Sequence, residues 1–198
     1  MAEYATVRRG RITPQREAEL YEAVLDLLRE VGYDGLRMDA VATRTRCSKA
    51  TLYRQWGGKA ELVARAMRHH KRRVDPVDTG SLRDDLHALM ARQDDTSMER
   101  DSALIRALAM AVHGDPELLS AFREQLVEPE LEDVRAVLRR AVERGEVRAD
   151  NPALPHVFHA ILGAITARAL IDELPPTQKF LLSYIDAVIL PALGMPGV

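Results

Sequence analysis

Gly32-Tyr33-Asp34-Gly35-Leu36-Arg37-Met38-Asp39-Ala40-Val41-Ala42, followed closely by Ser48-Lys49-Ala50-Thr51-Leu52-Tyr53-Arg54-Gln55-Trp56-Gly57-Gly58-Lys59, is the stretch around which the chain is organised. Met38, Val41 and Ala42 fall at i, i+3 and i+4, which predicts a short helix over 38–45. Arg46-Cys47 then makes a turn, and Ser48 has the chemistry to cap a second short helix over 49–56. Leu52 and Trp56, four apart, share the inner face of that helix, whereas Lys49, Ala50, Tyr53 and Arg54 share another. A helix that is apolar inside and carries Lys, Tyr and Arg outside has what is needed to enter a major groove and reach base edges.

On the N-terminal side, Thr13-Pro14 opens a helix as N-cap and first residue, with Glu17 and Glu19 in or near the first turn, where the helix dipole favours them. Leu20, Ala23, Val24, Leu27, Leu28 and Val31 form one apolar stripe, and Gly32 ends it. Met1 to Thr13 has no such period and carries Arg8, Arg9 and Arg11. It reads either as a frayed terminus or as an arm for phosphates or the minor groove. On the C-terminal side, Gly57-Gly58 breaks the chain and Lys59 opens a longer helix to about Val74, with Leu62 and Ala66 on one side and Asp75-Pro76 closing it.

Every later segment also reads as helix: 82–93 capped by Ser81, 98–113, 116 to about 144, 153–172 and 177–192. Pro129 lies inside one of them and is expected to kink it. No segment alternates like a strand. The last two helices are more apolar than one chain needs. Phe158, Ile161, Leu162 and Ile165 on the first, with Leu181, Tyr184, Ile185 and Val188 on the second, are expected to form a four-helix interface between two copies, with Gly163 and Ala164 allowing close approach. The alternative is a core wholly within one chain.

Composition fits this picture. With 46% hydrophobic but only 5% aromatic residues among 198, Leu, Ala and Val must fill the core, which favours helices. The net charge of -2 hides an asymmetry: residues 1–74 carry 16 Lys/Arg against 9 Asp/Glu, the remainder 12 against 21. A basic third suits a polyanionic partner, and the acidic remainder is expected to face away from it. The single Cys47 excludes an internal disulfide framework. No apolar run is judged long enough to cross a membrane, and Met1 to Gly10 has no apolar signal region, so a cytoplasmic protein is expected.

The quoted stretch resembles the DNA-binding domain of the TetR (tetracycline-repressor-like) family of transcriptional regulators. The matching residues are Gly32-Tyr33, Met38 to Ala42, Ser48 to Tyr53, Trp56, and Lys59 with Leu62; Arg144-Gly145-Glu146 also looks familiar for the family. The resemblance implies an all-α fold of about nine helices. Residues 1–58 would be a three-helix, helix-turn-helix DNA-binding domain, and residues 59–198 a helical effector-binding and dimerisation domain. It implies a homodimeric repressor, bound to double-stranded DNA at a palindromic operator and released by a small ligand. Carried over by position, Ser48, Lys49, Ala50, Thr51, Tyr53 and Arg54 become DNA contacts and Lys59 a phosphate contact. Arg46 stands where the family has Gly, and a non-Gly residue in a left-handed turn costs about 1 kcal/mol, which a phosphate contact by Arg46 would offset. Arg37 stands where a Ser or Thr cap is common.

No nucleophile–base arrangement, P-loop or dinucleotide fingerprint is present, so no enzyme and no cofactor is expected. His156 and His159, like Asp84 and His87, are three apart, but no metal site is assigned to them. Met90, Leu104, Leu108, Phe122, Leu126, Phe158 and Leu162, with His113 and His156 as polar handles, are the candidate pocket for an apolar or amphipathic effector. No membrane partner is expected. The alternative function is an all-helical small-molecule-binding or protein-interaction module with weakened DNA binding, for which Arg46 and the weak caps are the grounds.

Overall fold

The computed structural model describes residues 12–70, 76–92 and 94–195, and these contain helices and connecting segments but no strand. The arm at Arg8, Arg9 and Arg11 and the expected helix end at Val74 lie outside them. The chain divides into two compact units, Met1–Lys71 and Arg72–Val198.

The first unit holds four helices: α1 (Pro14–Gly35), α2 (Met38–Thr45), α3 (Lys49–Trp56) and α4 (Lys59–His70). Thr13 caps α1 as its composition predicts, accepting the Arg16 amide at 3.3 Å. Leu20, Val24, Leu27 and Leu28 are buried on the expected stripe, but Val31 is half exposed. The reason is Gly32, whose φ of 68° and ψ of 176° break the helical path and turn the chain away. Ala60, Leu62, Val63, Ala64, Ala66 and Met67 of α4 are buried, and α4 packs along α1. Because that face is used by α1, α4 belongs with the first three helices. Helix α4 therefore lies within the compact unit Met1–Lys71.

Among the described residues the second unit holds five further helices: α5 (Leu82–Met90), α6 (Asp95–Gly114), α7, α8 (Val157–Ile171, after a 3-10 turn at Leu154–His156) and α9. In α7, Pro116–Phe122 runs through a π turn, Arg123–Val127, into Glu128–Glu143; in α9, Gln178–Tyr184 runs through a π turn, Ile185–Ile189, into Leu190–Ala192. Each π turn ends two residues before a proline, Pro129 and Pro191. A proline ring collides with the carbonyl four residues back, here Gln125 and Ala187, and has no N–H to offer it. The wider turn takes up both problems, which is the form the expected kink at Pro129 takes.

Leu82, Leu86 and Leu89 of α5, Val137, Leu138 and Ala141 of α7, Val157 and Ile161 of α8, and Ile185 and Ile189 of α9 form one core. A polar clamp sits at its edge. Asp85 is fully buried on α5. It accepts the Thr79 amide at 2.6 Å, the Thr79 hydroxyl at 2.8 Å and Arg144 Nη2 at 3.2 Å. Burial alone raises the Asp85 carboxyl, but the two Thr79 bonds and the Arg144 guanidinium outweigh it and hold the group below its usual range. Arg144 also pairs with Glu146, whose other oxygen accepts the first amide of α5, from Leu82, at 2.7 Å. The Arg144-Gly145-Glu146 segment thus ties the end of α7 to the start of α5.

Helix α8 corrects one reading of the sequence. Leu154–Ile171 spans 18 residues at a mean hydropathy of 1.4, so one helix is long and apolar enough to cross a membrane by length and composition, though only 11% of it is buried within this chain.

Candidate nucleic-acid interface

Helix α3 starts at Ser48, whose Oγ accepts the Thr51 amide at 3.1 Å and also lies 2.8 Å from Thr51 Oγ1. Both hydroxyls named as contacts are therefore engaged with each other in the free protein. Leu52 is fully buried and Trp56 nearly so, whereas Lys49, Ala50, Tyr53 and Arg54 are exposed. Tyr53 keeps 49% of its surface, high for an aromatic side chain.

A relay of hydrogen bonds fastens this helix to α1. Trp56 Nε1–H donates to the Tyr21 hydroxyl at 2.9 Å, and that hydroxyl donates to Glu17 Oε1 at 2.9 Å. The Tyr21 ring also meets Trp56 edge-on, with centroids 5.9 Å apart, and His69 of α4 at 5.2 Å. Burial, and then the Glu17 carboxylate, push the Tyr21 phenol up to about 12, although the Trp56 bond works the other way. Tyr21 is thus a neutral junction of α1, α3 and α4. Its role as a junction is not readable from spacing, because Trp56 and His69 lie 35 and 48 positions away in the numbering.

The turn between α2 and α3 meets the expected strain with compensation. Arg46 has φ 49° and ψ 40°, a left-handed conformation that L side chains adopt at a cost. Its amide donates to Thr43 O at 3.2 Å and the Cys47 amide to Ala42 O at 3.0 Å, the paired closure that ends a helix with a left-handed residue. Arg16 adds a bond from α1 to the Thr45 carbonyl. The Arg46 side chain is exposed and makes no hydrogen bond or ion pair among the described residues. Arg37, as expected, gives α2 no side-chain cap.

Two further cations differ. Lys49 Nζ forms an ion pair with Asp39 Oδ1 of α2. Lys59 Nζ donates to the Tyr33 carbonyl at 3.0 Å and lies 3.9 Å from the Tyr33 ring centroid. An ammonium has three donors, so Lys59 retains capacity for an anion while locking the first turn of α4 to the end of α1.

In the second unit the nine candidate pocket residues differ in burial. Leu104, Leu108 and Leu126 are buried; Met90, Phe122, Phe158 and Leu162 are half-buried; His113 and His156 are exposed. A cavity of about 360 Å³ beside α7 is lined by Leu138, Val142, Ala149, Leu154, Arg135 and Arg139, among others, and includes none of the nine. The eight residues expected at an interface between copies also divide. Ile161, Leu181 and Ile185 are buried in their own unit at 4%, 2% and 1% exposure, because the inner faces of α8 and α9 close the core. Phe158, Leu162, Ile165 and Tyr184 are half-buried and Val188 is exposed. Among the described residues no group of three or more His, Cys, Asp or Glu is arranged to hold a metal ion.

Residues 20–66 match the model of the bacterial regulatory proteins of the tetR family, and residues 76–188 match that of the tetracyclin repressor-like C-terminal domain. The chain belongs to the TetR family. It is 38% identical over 182 residues to an uncharacterised HTH-type transcriptional regulator of Mycobacterium tuberculosis, covering 90% of this chain and 88% of that one. It is 34% identical over 184 residues to the DNA-binding transcriptional repressor TetR of Mycobacteroides abscessus, covering 92% and 95%. Its fold matches the crystal structure of the TetR-family transcription regulator SCO0332, at 26% identity and a TM-score of 0.64, over 88% of this chain and 97% of that one. A TetR transcriptional regulator from Agrobacterium tumefaciens matches with a TM-score of 0.63 at 20% identity, over 87% and 93%. This TetR-family protein is a DNA-binding transcriptional regulator, with an N-terminal helix-turn-helix formed by α2 and α3.

Proposed function

We propose that the protein is a homodimeric repressor that reads a palindromic operator with α3 and leaves it when a small apolar or amphipathic effector binds the second unit. The observation that carries this reading is the outward face of α3, where Lys49, Ala50, Tyr53 and Arg54 are exposed over a buried Leu52 and Trp56. Arg46 and Lys59 flank it as phosphate contacts, and the hydroxyls of Ser48 and Thr51 join when their mutual bond opens. Arg54 carries no intramolecular partner among the described residues, so its guanidinium is available for a bidentate contact to guanine. Arg54→Ala should cost about 1–3 kcal/mol of operator affinity and relax the preferred sequence at one position. Fluorescence anisotropy against an operator library checks this; unchanged affinity and preference in the variant would remove Arg54 from the site.

The dimer rests on α8. A helix apolar all round needs cover on every side, yet α8 buries only Val157, Ile161 and Ala164 within its own chain. Leu170 and Ile171 at its end are 84% and 76% exposed, and Val188 of α9 is 42% exposed. In a regulator whose relatives bind DNA, a second copy is the cover that fits, and two-fold symmetry then gives a palindromic site. Gly163 is exposed on α8, and a Cβ added there meets nothing within 4 Å in the protomer. Gly163→Glu should therefore leave protomer folding intact while placing a charge where two helices approach. Light scattering at micromolar concentration should show a dimer for the native chain and a monomer for the variant. A native monomer would overturn this part of the reading.

A further inference from the structure

Among the exposed cations around α3, Lys49 differs from Arg46 and Arg54. Those two make no intramolecular hydrogen bond or ion pair among the described residues, whereas Lys49 Nζ is held by Asp39 Oδ1. Both partners remain largely exposed, at 56% and 64% of their side-chain surface, so the pair stands in solvent rather than in a core. Asp39 sits in the first turn of α2, where the helix dipole favours a carboxylate. Lys49 is the first residue of α3, the end of a recognition helix that comes nearest to DNA.

We infer that Asp39 is an internal substitute for a phosphate: by occupying Lys49 it weakens the sequence-independent part of DNA binding and so shortens the time spent on DNA of arbitrary sequence. The inference rests on the reading of α3 as the DNA-reading helix. Sequence-independent affinity comes almost wholly from cations that neutralise phosphates and release counterions. Whether Lys49 leaves Asp39 for a phosphate or stays paired, the Asp39 carboxylate is brought to the polyanion with it, and its charge offsets that of Lys49. The penalty falls on every duplex alike. Contacts of Tyr53 and Arg54 to base edges are untouched, and on the operator they offset it.

The test uses the full chain as Asp39→Asn, Lys49→Met and the double variant, titrated into a labelled duplex of arbitrary sequence over a range of salt. Asp39→Asn should bind that duplex about two- to fivefold more tightly at low salt, the range expected for release of one exposed ion pair. Its salt slope should steepen by about 1, a change that a purely structural role for Asp39 does not produce. In the Lys49→Met background the same substitution should strengthen binding by clearly less. Equal or weaker binding by Asp39→Asn overturns the inference, and so does equal strengthening in both backgrounds, which marks Asp39 as a general charge acting independently of Lys49. Lys49→Met alone separates the two layers. If it binds like the native chain, Lys49 makes no DNA contact and its place on the reading face of α3 falls as well; if it binds more weakly, a failure of Asp39→Asn removes this inference only.

Discussion

Arg144→Met lowers the unfolding free energy of the second unit by about 3 kcal/mol, the low end for removing one partner of a buried ion pair. The substitution keeps the aliphatic stem and deletes the guanidinium. Asp85, fully buried, keeps its two bonds from Thr79 but loses its cation, and Glu146 loses the partner that aims it at the first amide of α5. The pH dependence has a definite sign. The Asp85 carboxyl is depressed in the folded state, so its contribution is complete above the ordinary carboxylate range and is lost as pH falls through the folded value. Without Arg144 the folded value rises, and acid unfolding should begin at higher pH than in the native chain. Urea unfolding followed by far-UV circular dichroism at neutral and acidic pH measures both effects. A variant as stable as the native protein would show that Thr79 alone satisfies Asp85.

Trp56→Ala should cost about 3–5 kcal/mol, the usual loss for truncating a large buried aromatic side chain. Trp56 is 2% exposed between α3 and α1. The first unit is small, and a unit of that size buries too little surface to absorb such a loss. The expected result is an unfolded first unit, an intact second unit and no DNA binding. Trp56→Phe is milder. It fills most of the volume but leaves the Tyr21 hydroxyl without its donor, at about 1 kcal/mol. The phenol, raised from 10.0 to about 12, stays protonated at working pH, so the stability it adds is complete below pH 10 and is lost as pH rises toward 12. Two separate transitions in denaturant, of which only the first moves, would match this picture; a single transition that moves as a whole would not.

The parts of the fold that are legible in the sequence are the local ones. Thr13, Ser48 and Ser81 cap the helices they precede, accepting amides three residues on, and Gly32 breaks α1 where the apolar stripe stops. Such signals act over one turn, so the chain order displays them. Asp85 gives no such signal: next to Asp84, it reads as one more surface acid, and its burial depends on Arg144, 59 residues away. His87 was paired by spacing with Asp84, but its ring lies 2.9 Å from Asp186 on α9, while Asp84 turns back to Ser81. The face of α8 was ambiguous for a related reason. With apolar residues on every side of α8, periodicity does not say which side turns inward, and Ile161 belongs to the protomer core, as Leu181 and Ile185 of α9 do. At the DNA face, the outward side of α3 followed from a helical period of 3.6. The pairing of Lys49 with Asp39 did not, because no spacing rule relates residues on two helices joined by a turn.

Trp56 is the only tryptophan in the chain, and its indole N–H is bonded to Tyr21. Ultraviolet emission excited at the red edge therefore comes from a single chromophore on the buried face of α3. A shift on adding DNA reports the surroundings of α3, undiluted by signal from the second unit. A shift on adding a candidate effector, with no DNA present, would mean that a ligand held elsewhere is felt at the indole. The protein thus carries its own optical label on the buried side of α3.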